Sequence, residues 1–166
     1  RRCHPPLKTL VIIPCYNEEE NLVQVVTQLK AACPAVDYLI VNDCSTDRSR
    51  EICEENGYNY ISLPVNLGIG GGVQSGYLFA VERGYDITVQ IDGDGQHDPS
   101  YLAELLKPIE QGELDMAIGS RFITKEGFQT STMRRLGINI ISFFIRLLTG
   151  KRVKDTTSGF RACNRE

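Results

Sequence analysis

Val89-Gln90-Ile91-Asp92-Gly93-Asp94-Gly95-Gln96-His97-Asp98-Pro99 is the stretch on which the reading of this chain turns. Val89 and Ile91 alternate with Thr88 and Gln90, as in a short buried strand. The strand stops at a loop that carries Asp92, Asp94 and Asp98 around Gly93 and Gly95. Carboxylates this close repel one another unless a cation sits among them. Oxygen ligands of this kind suit Mg²⁺ or Mn²⁺, which keep waters and bind substrate phosphates through one or two carboxylates. The glycines leave the backbone free to bring the carboxylates to one side. Read alone, the window fits a metal-holding loop or an Asp/Gly-rich surface turn.

Outward from this window, the same punctuation recurs. Leu10 to Ile13 is a short apolar run ended by Pro14, hence a buried strand leading into a loop. Asn17 is placed to cap a following helix in which Leu22, Val25, Val26 and Leu29 recur at helical spacing, until Cys33-Pro34 breaks it. Tyr38 to Val41 is the next strand, and Ser45 or Thr46 is placed to cap a helix over Asp47 to Glu55. Tyr58 to Leu63 is a third strand. A glycine-rich segment then opens a helix with Val73, Tyr77, Leu78 and Val81 on one side, ended by Gly84. After the Asp-rich loop, Pro99-Ser100 opens a helix with Leu102, Leu105 and Leu106 inward, and Met116 to Ile118 is a fifth strand. Strand and helix alternate four times, which predicts an α/β fold with a mostly parallel central sheet and helices on both faces. Ligands in such sheets bind beyond the carboxyl ends of the strands. Pro14 to Asn17, Asn42-Asp43, Asp92 to Asp94 and Ser120-Arg121 each follow a predicted strand.

The glycine cluster Gly68-Ile69-Gly70-Gly71-Gly72 is not a dinucleotide fingerprint. Its third glycine is missing, and it follows the third strand rather than the first. It suits a helix start packed tightly on the sheet, with backbone near a ligand. His97 fits either a metal ligand or a helix entry. No cysteine stands in a nucleophile motif.

The 166 residues fit one domain, and 42% hydrophobic with 23% charged residues is ordinary for a globular chain. The net charge of −3 hides a segregation. From Arg134 onward there are eight Lys/Arg against two Asp/Glu, whereas the first 133 residues hold ten against nineteen. That acidic front argues against nucleic-acid binding, which wants a basic face. Six cysteines without C-x-x-C spacing predict reduced thiols and a cytoplasmic location. No apolar run reaches the ~18 residues of a membrane span. Leu136 to Leu148 is nearly all apolar, with Asn139, Ser142 and Arg146 in one polar stripe and basic residues on both flanks. Residues 134–154 therefore read as a peripheral contact at the inner face of a membrane, or as a helix covered by a partner segment or a second subunit of a homo-oligomer. Residues 1–6 read as a ragged terminus and 7–166 as one catalytic domain cut short at its C-terminus.

Taken in order, these pieces resemble the family 2 inverting glycosyltransferases of the GT-A fold. Pro14-Cys15-Tyr16-Asn17-Glu18-Glu19 is similar to the family's first-strand motif P-x-Y-N-E. Val41-Asn42-Asp43-Cys44-Ser45-Thr46-Asp47 is similar to V-D-D-x-S-T-D, with Asn42 replacing the first acidic residue. Ile91 to Pro99 resembles the D-x-D loop, and Ile118-Gly119-Ser120-Arg121-Phe122 a following strand end. Asp155-Thr156-Thr157-Ser158-Gly159-Phe160-Arg161 resembles the branch with dolichol-phosphate mannose synthases and related polyprenyl-phosphate sugar transferases.

The resemblance implies transfer of a sugar, with inversion and a Mn²⁺ or Mg²⁺ ion, from a nucleotide-diphosphate donor to a polyprenyl phosphate or a growing glycan. A nucleotide-sugar binding module without turnover is the alternative. Nucleotidyl transfer would expect a glycine- and lysine-rich loop after the first strand, which Pro14 to Asn17 does not supply. By resemblance Pro14, Tyr16, Asn17 and Glu18 shape a nucleoside pocket with Asn42 and Asp43, and Gly71, Gly93 and Ser158 also line the substrate. Asp92 lies near ribose and metal, Asp94 ligates the metal, and Gln96 is a further ligand. Arg121 and Arg134 or Arg135 meet phosphate oxygens, for which a guanidinium fork is shaped. Phe160 and Arg161 belong to the acceptor side. The catalytic set is Asp92, Asp94 and Arg121. No general base of the family's usual acidic motif follows Phe160, and Asp155 reads as a base or as a turn residue.

Overall fold

Seven consecutive buried residues, Thr9–Cys15, form strand β1. A strand with no exposed side chain must be covered on both faces, as parallel sheets are. β1 is flanked by two parallel neighbours, β2 (Asp37–Asn42) and β4 (Ile87–Gln90), so that Val11 lies opposite both Tyr38 and Val89. β3 (Tyr60–Ser62) pairs parallel with β2. Strands β5 (Met116–Ile118) and β6 (Arg161–Asn164) complete a sheet of order β3-β2-β1-β4-β6-β5. The computed structural model describes residues 7–95, 98–119 and 159–165.

Helices α1 (Leu22–Ala32), α2 (Ser49–Glu55) and α4 (Leu102–Glu110) lie on one face, and α3 (Gly68–Glu82) on the other. The strand order explains α3. The chain steps outward from β1 to β3 and then returns across β1 to β4, and a right-handed connection run in reverse covers the opposite face. The larger core layer sets Leu22, Val25, Leu29, Leu102 and Leu106 against Val11, Ile13, Ile40 and Val89. The smaller layer holds Leu10, Ile12, Leu39, Val41, Ala80 and Tyr85. The α/β fold with a mostly parallel sheet and helices on both faces is therefore as expected from the sequence.

Two elements differ from expectation. The sheet-facing side of α3 is Gly72, Gly76 and Ala80, whereas Leu78 and Val81 are 60% and 53% exposed. Small residues every fourth position let the helix backbone approach the sheet, and a Cβ built on Gly76 would overlap Ile12. Apolar periodicity alone therefore pointed to the wrong side. Strand β6 was not anticipated. It runs antiparallel between β4 and β5, pairing Arg161 with both Gln90 and Ile118. Its four residues carry no hydrophobic alternation of note, and the backbone groups it completes on two neighbours hold it there.

The capping expectations are also corrected. Asn17 does not cap α1, whose N-cap position is Asn21. It sits at φ 56° and its Oδ1 accepts from Thr46 N (2.8 Å), Thr46 Oγ1 (3.3 Å) and Asp47 N (3.4 Å). Neither Ser45 nor Thr46 caps α2. Ser49 N donates to Asp47 Oδ1 and Arg48 N to Glu19 Oε2, both at 2.9 Å. Ser45 Oγ instead accepts from Asn17 N at 3.1 Å. The loops after β1 and β2 are thus clasped together by side chains. Burial raises the Asp47 carboxyl, but hydrogen bonds from Ser49, Glu19 and its own backbone outweigh this and hold it below its ordinary value. That contribution is present above the unfolded pKa and lost as pH falls through the lowered folded one.

Two stability changes follow. Gly76→Val is expected to cost about 1–3 kcal/mol in urea unfolding, from forced overlap with Ile12. Asn17→Ala is expected to cost about 1 kcal/mol by the same measurement, and Asn17→Asp, which keeps the accepting oxygen, clearly less.

Candidate functional site

The reversal in strand order falls between β1 and β4, the place where open α/β sheets leave a crevice at the carboxyl ends. There the loop after β4 presses on the end of β1. A Cβ on Gly93 would stand 2.9 Å from the Pro14 carbonyl oxygen, so only glycine fits without displacement. The resulting cleft, of about 330 Å³, is shared by three strand ends and one helix start. β1 contributes Pro14, Cys15, Tyr16 and Glu18; β2 contributes Asp43; β4 contributes Asp92, Gly93 and Asp94. Asn66, Gly68, Ile69 and Gly72 at the start of α3 close it.

Asp43 is 3% exposed and acts as a strut. Its Oδ1 accepts from Leu67 N at 2.7 Å, and its carbonyl accepts from Asn66 Nδ2 at 3.2 Å. Asn66 Oδ1 in turn accepts from Gly68 N at 3.0 Å. Together these bonds pin the first turn of α3 to the end of β2. Glu18 is held by Asn21 Nδ2, which donates to its Oε2 at 3.0 Å, and by its own N–H to Ser49 Oγ at 3.0 Å. Gln90 Nε2 donates to Asp92 Oδ1 at 3.2 Å, and Gly159 approaches so closely that a Cβ there would overlap the Asp92 carboxylate. Tyr16, half exposed, offers its ring to the opening.

Four carboxyl groups, Glu18, Asp43, Asp92 and Asp94, therefore line one cleft with no basic side chain among the described lining residues. Such a cleft repels a diphosphate unless a cation intervenes. Its donors are hard oxygens, the kind that suits Mg²⁺ or Mn²⁺, with phosphate and water supplying the remaining ligands. The donor chemistry of Asp92 and Asp94 thus fits such an ion. Cys15 also borders the cleft, but burial pushes its thiol above the ordinary value, with Asp47 and Glu18 adding to this against hydrogen bonds from Ser49 and Ser45. It is no thiolate nucleophile.

The residues singled out from the sequence divide three ways. Pro14, Tyr16, Glu18, Asp43, Asp92, Gly93 and Asp94 converge on the cleft. Asn17, Asn42 and Gly71 do not line it. The Asn42 amide is spent inside the fold, donating to Ser62 Oγ at 3.1 Å and accepting from Ser45 N and Oγ at 3.2 and 2.5 Å. It is 2% exposed and holds the β2 end to β3 and to its own loop. Gly71 faces Leu67 within its own helix start, whereas its neighbours Gly68, Gly70 and Gly72 border cavities. Gln96, His97, Arg121, Arg134, Arg135, Asp155, Ser158 and the 134–154 segment lie outside the described residues. Asn66 was missed, although an Asn two places before a glycine is a turn signal. Gln90 was read only as the polar half of a strand alternation, yet it is 3% exposed beside Asp92.

The five cysteines among the described residues are free thiols, and no described helix is long and apolar enough to cross a membrane.

Comparison with known proteins agrees with this geometry. The chain is 35% identical over 169 residues to a polyprenol monophosphomannose synthase of Mycolicibacterium smegmatis, a match covering 98% of the chain and 63% of that relative. It is 32% identical to an undecaprenyl-phosphate mannosyltransferase of Micrococcus luteus, covering 94% of the chain and 66% of the relative. The chain thus spans a little under two thirds of the length of these curated relatives. Among solved structures, glucosyl-3-phosphoglycerate synthase from Mycobacterium tuberculosis in complex with Mn²⁺ and UDP-glucose superposes with a TM-score of 0.73 at 21% identity, over 96% of this chain and 56% of that one. That likeness establishes the GT-A fold. The profile described as glycosyl transferase family 2 matches residues 10–166, and the chain belongs to that family.

Proposed function

We propose that residues 7–166 act as a catalytic domain that transfers a sugar, with inversion, from a nucleotide-diphosphate donor to a polyprenyl phosphate or a growing glycan at the cytoplasmic face of a membrane. The observation that carries this reading is the convergence of Tyr16, Glu18, Asp43, Asp92 and Asp94 on one cleft at the reversal of the sheet. The names of the mannosyltransferase relatives support the acceptor class.

In this reading the nucleoside lies between Tyr16 and the Asp43 strut, whose second carboxylate oxygen accepts from base or ribose. Asp92 and Asp94 hold a divalent ion, with Gln96 as a further ligand. That ion supplies charge neutralisation for the diphosphate and for the leaving nucleoside diphosphate. Arg121 and Arg134 or Arg135 bind phosphate oxygens. An acceptor oxygen forms its bond to the anomeric carbon from the face opposite the diphosphate. The anomeric C–O bond breaks, and its electron pair leaves on the nucleoside diphosphate. An alcohol acceptor would need a base near neutral pKa, whereas a phosphate acceptor is already anionic.

Calorimetry with UDP and GDP, each with and without Mn²⁺, tests the donor site, and binding should depend on the ion. Asp94→Ala should lower Mn²⁺-dependent nucleotide affinity and sugar transfer at least about tenfold. Transfer unchanged in that variant would remove the metal role, and nucleotide binding without any transfer would reduce the chain to a binding module. Gly93→Val should weaken Mn²⁺-dependent nucleotide binding, because the β4 loop that carries Asp92 and Asp94 would be pushed off Pro14.

A further inference from the structure

Ile87, Val89, Phe160 and Ala162 turn into the larger core layer, so Thr88, Gln90, Arg161 and Cys163 face the α3 side of the sheet. Gln90 stands out there. At 3% exposure it is a polar side chain shut into a central strand, where an apolar residue would pack at less cost. Its Nε2 donates to Asp92 Oδ1 at 3.2 Å. A carboxylate only accepts, so the amide must present its nitrogen to Asp92.

Gln90 is also the direct cross-strand partner of Arg161. Continued by two residues, that antiparallel register sets Asp92 against Gly159, and Gly159 does lie on the Asp92 carboxylate, where a Cβ would overlap it. Asp92 and Arg161 are thus diagonal neighbours, a spacing of about 7–8 Å that long side chains bridge. Both border one cavity of about 360 Å³ beside the first half of α3. A carboxylate and a guanidinium so placed attract one another more strongly than in water. Yet among the described residues they form no ion pair with each other, and Arg161 Nε is buried without a hydrogen-bond partner. The Gln90 amide engages the carboxylate instead.

We propose that Gln90 is a positioning residue for the metal-binding carboxylate: its amide holds Asp92 toward the donor cleft and keeps Arg161 from pairing with it. The inference rests on the donor-cleft reading above, in which Asp92 and Asp94 hold the divalent ion. An amide suits this task because it donates to a carboxylate without neutralising it. A guanidinium in the same place would offset the charge that the ion needs and would set two cations against each other. Gln90 borders the second cavity and not the donor cleft, so it acts through Asp92.

Mn²⁺ binding by the full chain in the presence of UDP or GDP, followed by electron paramagnetic resonance, tests this. Gln90→Leu should weaken Mn²⁺ affinity about tenfold or more, as the loss of a ligand's supporting partner does. Gln90→Met, which keeps the length and loses only the amide, should do the same. Adding Arg161→Leu to Gln90→Leu should return Mn²⁺ affinity to within about threefold of the unaltered chain, a rescue that a packing role for Gln90 would not give. The inference is overturned if affinity is unchanged in Gln90→Leu and Gln90→Met, or if the double variant stays as weak as the single one. Thermal melting identifies any variant that does not fold. Should neither Gln90 variant fold, Arg161→Leu alone decides: Mn²⁺ affinity kept within about twofold, or tightened, supports the inference. A loss there overturns it, because Arg161 then serves the donor side itself. Absence of Mn²⁺ binding with nucleotide in the unaltered chain is a separate result, which removes the donor-cleft reading and this inference with it.

Discussion

The close approach of the β4 loop to the end of β1, Gly93 against the Pro14 carbonyl, is the constraint on which the rest of the structure depends. It requires that β4 lie directly beside β1 although two other strands intervene in sequence. Once that adjacency is set, the chain must cross back over the sheet. α3 must cover the opposite face, and its glycine-rich start must arrive beside the ends of β1 and β2. The Asp43 carboxylate then holds that start in place through Leu67 N. A crevice walled by three strand ends follows from topology, before any side chain is given a chemical role.

What fills the crevice is decided by charge. Four acidic side chains around one space would be a liability in a purely structural turn, since each raises the cost of ionising the others. Glu18, Asp43 and Asp92 accept from Asn21, Leu67 and Gln90 respectively. Asp92 and Asp94 sit on the loop that follows β4, next to Gly93 and Gly95. On the other side of Asp92 a second cavity is bordered by Arg161, which pairs across the sheet with Gln90.

Several expectations failed for one reason: they treated a local pattern as if its nearest neighbours in sequence were its partners. Asn17 and Ser45 have the chemistry of helix caps, but each is engaged by the other's loop some 28 residues away. Asn42 stands where an acidic residue would face a ligand, yet its amide is consumed by Ser62 and Ser45. Apolar residues at helical spacing on α3 indicated one face, but the sheet selected the Gly72-Gly76-Ala80 face because Ile12 needs the room. β6 escaped notice because its stability comes from ladders on both sides rather than from its own side chains.

By itself the sequence determined the alternation of strands and helices, the strand ends at which chemistry collects, and the acidic character of the loop after Ile91. Those follow from periodicity, from Pro and Gly punctuation, and from residue charge, all readable within about ten positions. Only the tertiary structure decided that Glu18, Asp43, Asp92 and Asp94 share a cleft, that Asn42 and Asn17 are struts, and that Arg161 stands beside Gln90 in the sheet. Strand order and register bring together residues more than seventy positions apart, and no local pattern encodes which two strands become neighbours.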